Sequence, residues 1–313
     1  MTLNTKDTRT PPSASQVVVI TGASSGIGRE TALRYAARSA RLVLAARTAH
    51  ALQEVADECR TAGATDVVVQ ATDIANAEQV QRLFDTAVER FGGVDIAAQC
   101  AAITAFGRFE DLPTDVFDEV VRTNLLGSAN VARSAMSHFR RTGAGHLVLV
   151  GSLLGTTAVP YQSAYVVSKF ALTGLVRLLR QENRQPGIKV HGVYPGPVDT
   201  PVYDTAANFF GRPPRVPPTA VGPKTIVAAI VRATDRPHSS ERQVGWMNRP
   251  AILAYRLLPT AFDAVVGPFL RAVAFSSGPI ASSKGNVFKP AVADDSPSSE
   301  TIVDASPRVR PQA

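Results

Sequence analysis

Residues 16–28 read Gln-Val-Val-Val-Ile-Thr-Gly-Ala-Ser-Ser-Gly-Ile-Gly, an apolar run that passes into Gly22, Gly26 and Gly28. A continuous Val/Ile run is the pattern of a strand buried on both faces. Glycines behind such a strand let the chain turn tightly and bring its backbone close to a pyrophosphate, whose charge then sits at a helix N-terminus. Tight strand-to-helix turns also use glycine for purely structural reasons, so the trio alone leaves both readings open. The same stretch matches G-x-S-x-G with Ser24 at its centre, the nucleophile elbow of a serine hydrolase. It falls on the first strand, however, and neither His191 nor His238 has the context of a catalytic partner.

Outward from this turn, apolar runs alternate strictly with helical patterns. Strand-like runs cover 16–20, 41–45, 66–71, 94–98, 146–150 and 189–194, and helical stretches cover 26–38, 49–62, 77–90, 114–141 and 163–183. Gly63, Gly92, Gly143 and Gly187 stand where those helices should stop. Repeated strand–helix–strand units predict an α/β fold, a parallel sheet with helices on both faces. A proline-rich loop at 195–218 carries Tyr203, Phe209 and Phe210; loops of that length are usually functional lids. A helix at 219–233 and a last strand near 243–246 complete a domain over 16–248. Residues 249–275 are expected to be helical, with an apolar face over the substrate mouth or on a partner. Residues 1–15 and most of 276–313 are expected to be disordered, since few apolar anchors occur there.

The 313 residues are 45% hydrophobic and 19% charged, with mean hydropathy +0.03, which suits a large core. No stretch reaches the 18 or more uninterrupted apolar residues of a membrane span; 251–275 is broken by Arg256, Pro259, Asp263, Pro268 and Arg271. The N-terminal stretch carries no secretory pattern. Cys59 and Cys100 are too few for a disulfide scaffold or a cysteine zinc site, so no metal is expected and the reading is cytoplasmic. The net charge of +7 comes mainly from scattered arginines without a nucleic-acid motif. It fits a diffuse basic surface for an anionic ligand, with no nucleic-acid partner.

Four later features accompany Thr21-Gly-Ala-Ser-Ser-Gly-Ile-Gly28: Asp73 at the end of the third strand, Asn124 within Arg-Thr-Asn-Leu-Leu-Gly, Ser152 after the fifth strand, and Tyr165-Val-Val-Ser-Lys169. With Pro195-Gly-Pro-Val-Asp-Thr200 this set resembles a short-chain dehydrogenase/reductase of the NADP type with a C-terminal extension, over residues 16 to about 246. The resemblance implies a single Rossmann-like doubly wound domain with a seven-stranded parallel sheet. One departure stands out. Where the family has Asn-Asn-Ala-Gly, this chain has Gln99-Cys-Ala-Ala102, which removes an amide that braces the strand end beside the cofactor. Cys100 is read as a structural thiol rather than a nucleophile.

Tyr165 and Lys169 are four apart and share a helix face. An ammonium about 5 Å from a phenol favours the phenolate by roughly two pKa units, so Lys169 is expected to lower Tyr165. By resemblance, Tyr165 exchanges the proton with the substrate oxygen, Ser152 holds that oxygen, Lys169 also binds the nicotinamide ribose, and Asn124 keeps a helix open for water. Cofactor contacts are implied for Gly22, Ser24, Ser25, Gly26, Ile27, Gly28, Asp73, Ile74, Ala101, Pro195, Gly196, Val198 and Thr200. Asp73 reads equally well as an N-cap for the helix near Asn76.

Cofactor choice follows from the second strand. No Asp or Glu occurs between Glu30 and Glu54, so the acidic ligand of an NAD ribose is missing. Ala46 leaves room for a 2′-phosphate and Arg47 can meet it with paired charge-assisted hydrogen bonds, which points to NADP(H). Leu153, Leu154, Val159, Tyr161, Gln162, Pro197, Tyr203, Phe209 and Phe210 are expected to line a pocket for a hydrophobic alcohol or ketone. The helices at 114–141 and 163–183 are the expected interface of a homo-dimer or tetramer, and a peripheral membrane contact through 249–275 is an alternative role for that segment. The competing functional reading is a catalytically silent NADP(H)-sensing protein.

Overall fold

The computed structural model describes residues 15–183 and 185–290. Val17–Thr21 forms β1, fully buried at every position, followed by α1 at Gly26–Ala36 and β2 at Arg41–Ala46. Alternate β1 residues face opposite sides, as strand geometry requires. Val18 and Ile20 pack with Ala32, Tyr35 and Ile226, whereas Val19 packs with Leu83, Phe84 and Val131. Two apolar layers therefore cover the two faces of one sheet.

The chain continues through α2 (Ala49–Thr61), β3 (Asp66–Ala71), α3 (Ala77–Phe91), β4 (Ile96–Gln99), a short β5 (Ala105–Phe106) and α4 (Thr114–Val121). It then runs through α5 (Ser128–Thr142), β6 (Gly145–Val150), α6 (Ser163–Glu182) and β7 (Ile188–Pro195). Next come α7 (Val202–Thr205), β8 (Ala207–Asn208), α8 (Pro223–Thr234), β9 (Ser240–Val244), α9 (Asn248–Leu257) and α10 (Pro259–Val273). The main sheet has seven strands in the order β3-β2-β1-β4-β6-β7-β9, every pairing parallel. This is the doubly wound Rossmann-like arrangement. The strand order reverses between β1 and β4, and in such sheets the ligand crevice opens there, outside the carboxyl ends of the strands.

Three sequence expectations change. The single helix expected over 114–141 is broken by a π-helical turn at Arg122–Gly127. Its cause is local: Asn124 turns inward, accepting from Ile103 N at 2.9 Å and donating to Ile103 O at 2.8 Å, so one side chain pairs with the backbone beyond β4. The loop at 195–218 contains α7 and β8, and β8 pairs with β5 as a separate two-stranded sheet. Residues 276–290, expected to be part of a disordered tail, pack back on the domain. Ser283 bridges Asn208, and Val287 is fully buried beside Ile103, Val116 and Val120. One apolar side chain and a ladder of backbone bonds order a segment whose composition reads as unstructured. Residues 1–14 of the expected arm at 1–15, and 291–313 of the expected tail, lie outside the described residues.

Candidate active site

A cleft of about 1470 Å³ opens at the carboxyl ends of the strands. Single-ligand sites hold roughly 300–1,000 Å³, so this cleft has room for a large cofactor and a substrate together. Gly22, Ser24, Ser25, Gly26, Ile27, Gly28, Arg47, Asp73, Ile74 and Ala101 line it. So do Ser152, Tyr165, Lys169, Pro195, Gly196, Val198 and Thr200. Asn124 stands apart: it is fully buried and meets Ile103 of the cleft wall, the Ser168 hydroxyl and Ser128 instead.

The glycine turn is built for close approach. Gly22 has φ +67°, and a Cβ there would lie 2.7 Å from the Ala101 backbone; one on Gly28 would lie 2.0 Å from Gly22 O. A side chain is thus excluded at Gly22 and Gly28, on either side of the entry to α1. Its N-terminal amides receive no side-chain cap, and its first turn holds no acidic residue. Uncapped amides at the positive end of a helix fit an anionic pyrophosphate. Asp73 Oδ1 accepts from Ala75 N at 2.9 Å, while the cap of α3 is Asn76, which accepts from Gln79 N. The N-cap reading of Asp73 therefore fails, and its carboxylate stays at the cleft. Arg47 donates from Nη1 to Val287 O at 3.0 Å and from Nη2 to Asn286 O at 2.6 Å. Burial pulls its pKa down, opposed by the charges of Asp73 and Glu119.

At the other end, Tyr165 and Lys169 project from α6, and Ser152 follows β6. Ser152 Oγ accepts from Leu154 N at 3.1 Å, which holds the hydroxyl in place. Lys169 is 2% exposed and donates to Val150 O at 3.1 Å. Its Nζ lies 5.4 Å from the centre of the Tyr165 ring. The expected lowering of Tyr165 by this ammonium is not what the structure gives. Burial pushes the phenol above its ordinary value, with only the Ser152 hydroxyl opposing it. Burial also drives Lys169 down to about 8, opposed by Cys100. Two buried groups thus each disfavour their charged forms. Cys100, beside Thr31, is itself pushed up to about 12 by burial. That favours the thiol over the nucleophilic thiolate at neutral pH.

The substrate end is apolar. Leu153, Leu154, Val159, Tyr161, Gln162, Pro197 and Tyr203 line it as expected, but Phe209 and Phe210 do not. Phe209 packs against Gly107, and Phe210 stacks on Phe275 with ring centres 4.1 Å apart. Phe106 and Phe275 take those places in the wall, together with Leu258 between α9 and α10 and Phe262, Val266 and Leu270 of α10. The expected residues at 99–102 also read differently. Gln99 Nε2 donates to Ala101 O at 3.1 Å and to Ser128 Oγ at 2.5 Å, bracing the strand end that Cys100 cannot. Sequence reasoning noted the departure at Gln99 but missed its role, because the partner Ser128 lies 29 residues on.

A family model for short chain dehydrogenases matches residues 16–208. An uncharacterised oxidoreductase of Bacillus subtilis is 34% identical over 255 residues, 80% of this chain and 71% of that protein. Sepiapterin reductase of Chlorobaculum tepidum is 34% identical over 230 residues, covering 71% of this chain and 91% of that protein. Among solved structures, an alcohol dehydrogenase of the archaeon Thermococcus sibiricus, complexed with 5-hydroxy-NADP, matches with a TM-score of 0.65 at 29% identity. That match covers 74% of this chain and 96% of the other.

Proposed function

The chain belongs to the short-chain dehydrogenase family and is an oxidoreductase of the CH–OH/C=O type, and from that premise we propose that it interconverts a hydrophobic alcohol and its ketone or aldehyde with NADP(H). The observation that carries this reading is the meeting of Ser152, Tyr165 and Lys169 in one cleft with the glycine turn. The archaeal neighbour's complex with an NADP derivative supports the choice of cofactor, as does Arg47 beside Ala46 with no acidic residue at that strand end.

When bound, the cofactor supplies or accepts hydride. The chain's own part is to handle the proton and hold the carbon in place. Tyr165, kept protonated by burial, donates to the carbonyl oxygen in reduction and takes the proton back in oxidation. Ser152 Oγ, oriented by its bond from Leu154 N, donates to the same oxygen. Lys169 stands by with a proton it can release near pH 8, held at its post by Val150 O. Asn124 fixes the π turn and the backbone at Ile103 rather than touching the reacting groups. Water is kept from the substrate by the aromatic wall of Phe106, Tyr161 and Phe275.

The departure at 99–102 is the feature that would favour a silent sensor, and the bonds of Gln99 to Ala101 O and Ser128 Oγ weigh against it by bracing the strand end. Oxidation of NADPH in the presence of a panel of apolar ketones and aldehydes tests the proposal. Steady turnover with any of them supports it; cofactor binding without turnover across the panel would return the sensor reading.

For assembly, Leu126, Val167, Phe170 and Leu178 are exposed apolar residues on the π turn and α6, which supports self-association there. A charged residue at Val167 should then reduce the size of the particle on a sizing column. Among the described residues no helix is long and apolar enough to cross a membrane. Exposed Leu253 and Leu257, with Arg249 and Arg256 nearby, support the alternative of a membrane-surface contact, and sedimentation with anionic vesicles distinguishes the two. The two cysteines, unpaired in the structure, suit a reducing compartment and hence the cytoplasm.

A further inference from the structure

We propose that residues 283–290 are a working part of the cofactor site: a strap that roofs the cleft beside Arg47, fixes its guanidinium by two backbone carbonyls, and thereby sets the preference for a 2′-phosphorylated dinucleotide. The inference rests on the NADP(H) reading and adds to it an element that the dinucleotide fold does not require.

Arg47 directly follows β2, and the partners of its guanidinium are the carbonyls of Asn286 and Val287, more than 230 positions away. Asn286 and Pro290 line the same cleft as Arg47 and the glycine turn. A guanidinium has five N–H donors in a planar fork. The two carbonyls take one donor each from Nη1 and Nη2 and leave the Nε edge free for a second, bidentate partner. Carbonyl oxygens are neutral, so they orient the cation without cancelling its charge, as a carboxylate would. Arg47 is also half-buried, which lowers its pKa and strengthens its pull on an incoming anion. An oriented, undischarged, partly dry arginine is pre-organised for phosphate, and pre-organisation raises affinity by removing the ordering cost at binding.

The strap is itself held by the substrate lid. Asn286 N donates to Thr205 O at 2.8 Å, Asn286 Nδ2 to Thr205 Oγ1 at 3.1 Å, and Ser283 exchanges two backbone bonds with Asn208. Lys284 pairs with Asp115 at 2.8 Å, and Val287 is buried in the cluster beneath. Gly285 has φ +49°, and a Cβ there would lie 2.4 Å from Thr205 O. This one position controls how closely the strap lies on α7, and it touches none of the cofactor residues.

The test is the affinity of the full chain for NADPH and for NADH, read by titration of the cofactor's own fluorescence. Gly285→Val should raise the Kd for NADPH about tenfold, the order expected when one charged side chain loses its pre-organisation, and leave the Kd for NADH within about twofold. Should that variant fail to fold, Lys284→Glu supplies the same lever from the rim, with a smaller loss that Asp115→Lys restores. Backbone hydrogen exchange at 283–287 should slow with NADPH more than with NADH. A Gly285→Val chain with unchanged preference overturns the strap's role alone, and one that binds NADPH more tightly shows instead that the strap competes with the phosphate. If the unmodified chain binds both cofactors equally, the NADP(H) assignment falls and takes the strap with it.

Discussion

At one end of the cleft, Tyr165 and Lys169 share a face of α6, one turn apart, and Ser152 follows the neighbouring strand. At the other end, the one cation at the close of β2, Arg47, is held by backbone carbonyls of residues 286 and 287. The tyrosine end is made of side chains whose chemistry only those residue types supply. The glycine end is made of shape and backbone: bare turns, uncapped amides and two carbonyls. Functional groups on side chains leave a mark in sequence, because Tyr, Lys and Ser must stand at fixed spacings. Backbone groups leave almost none, since every residue carries a carbonyl. Replacing a side chain should therefore act all-or-none at the tyrosine end and in graded fashion at the glycine end.

The largest effect tests that contrast directly. Tyr165→Phe removes the proton donor and leaves the ring's packing in place. Turnover should fall by at least about a hundredfold, the usual worth of a positioned acid–base group, with the Kd for NADPH nearly unchanged. Stopped-flow hydride transfer and a binding titration on the same preparation measure both. A Tyr165→Phe enzyme that keeps most of its rate would mean that proton transfer runs through another group, and the contrast would break at its strongest point.

Arg47→Ala comes next. Loss of a charge-assisted contact of roughly 1.5–3 kcal/mol should weaken NADPH by one to two orders of magnitude while NADH changes little. Ala46→Asp should invert the preference by repelling the phosphate. Both readouts are Kd ratios, so a fall in kcat at saturating NADPH would argue against the division into two ends.

Lys169 sharpens the comparison through pH. Burial holds its pKa at about 8, below its ordinary value of 10.5, so the folded chain takes up this proton less readily than the unfolded chain does. The charged lysine thus costs stability in full below pH 8, and the cost fades as pH rises from 8 towards 10.5. Lys169→Met should raise stability at pH 7 by up to roughly 3 kcal/mol while turnover collapses, and the gain should vanish near pH 10.5. Thermal melts at pH 7 and pH 10 check it. In the unmodified enzyme, kcat/KM for reduction should fall above about pH 8. An enzyme stabilised by losing a catalytic residue would confirm that the site is built at the fold's expense; a Lys169→Met chain that melts lower at pH 7 would contradict it.

The sequence carried the parallel sheet and the cluster at the tyrosine end, because buried Val/Ile runs and fixed polar spacings are properties of neighbours along the chain. What it concealed depends on partners far apart. Composition could not reveal that 276–290 is ordered, since that rests on Val287 finding an apolar hollow and on backbone bonds to Thr205 and Asn208. The π turn was hidden inside a good helical pattern because Asn124 bonds backbone beyond β4 instead of continuing the helix. Phe209 and Phe210 were placed in the pocket by their position in the lid, whereas their rings support its wall. The direction of the Tyr165 shift was missed for a physical reason as well. A pairwise charge estimate ignores burial, which keeps the phenol protonated and lowers the lysine's pKa to about 8.

Gln99 offers the finest test, because it lies between the two ends and touches neither set of reacting groups. It is 2% exposed, and its Nε2 bonds to Ala101 O and Ser128 Oγ, while Ser128 Oγ in turn donates to Asn124 O at 2.6 Å. The chain of bonds ties the end of β4 to the π turn and so keeps Ala101 and Ile103 in register at the cleft floor. Gln99→Ala would leave Ala101 O without its donor and open a hole beside it, at a cost of roughly 1–3 kcal/mol for the lost buried bond. A chain of this size should then melt roughly 2–4 °C lower for each kcal/mol lost. Gln99→Asn, a carbon shorter but still an amide donor, should cost less. Turnover at saturating cofactor should change by less than about threefold in either variant, since Lys169 and Ser152 are held by Val150 O and Leu154 N rather than by Gln99. KM for NADPH should rise modestly with the loosened floor. A Gln99→Ala enzyme as slow as Tyr165→Phe would show that the strand end governs proton transfer, and the two ends of the cleft would have to be treated as one.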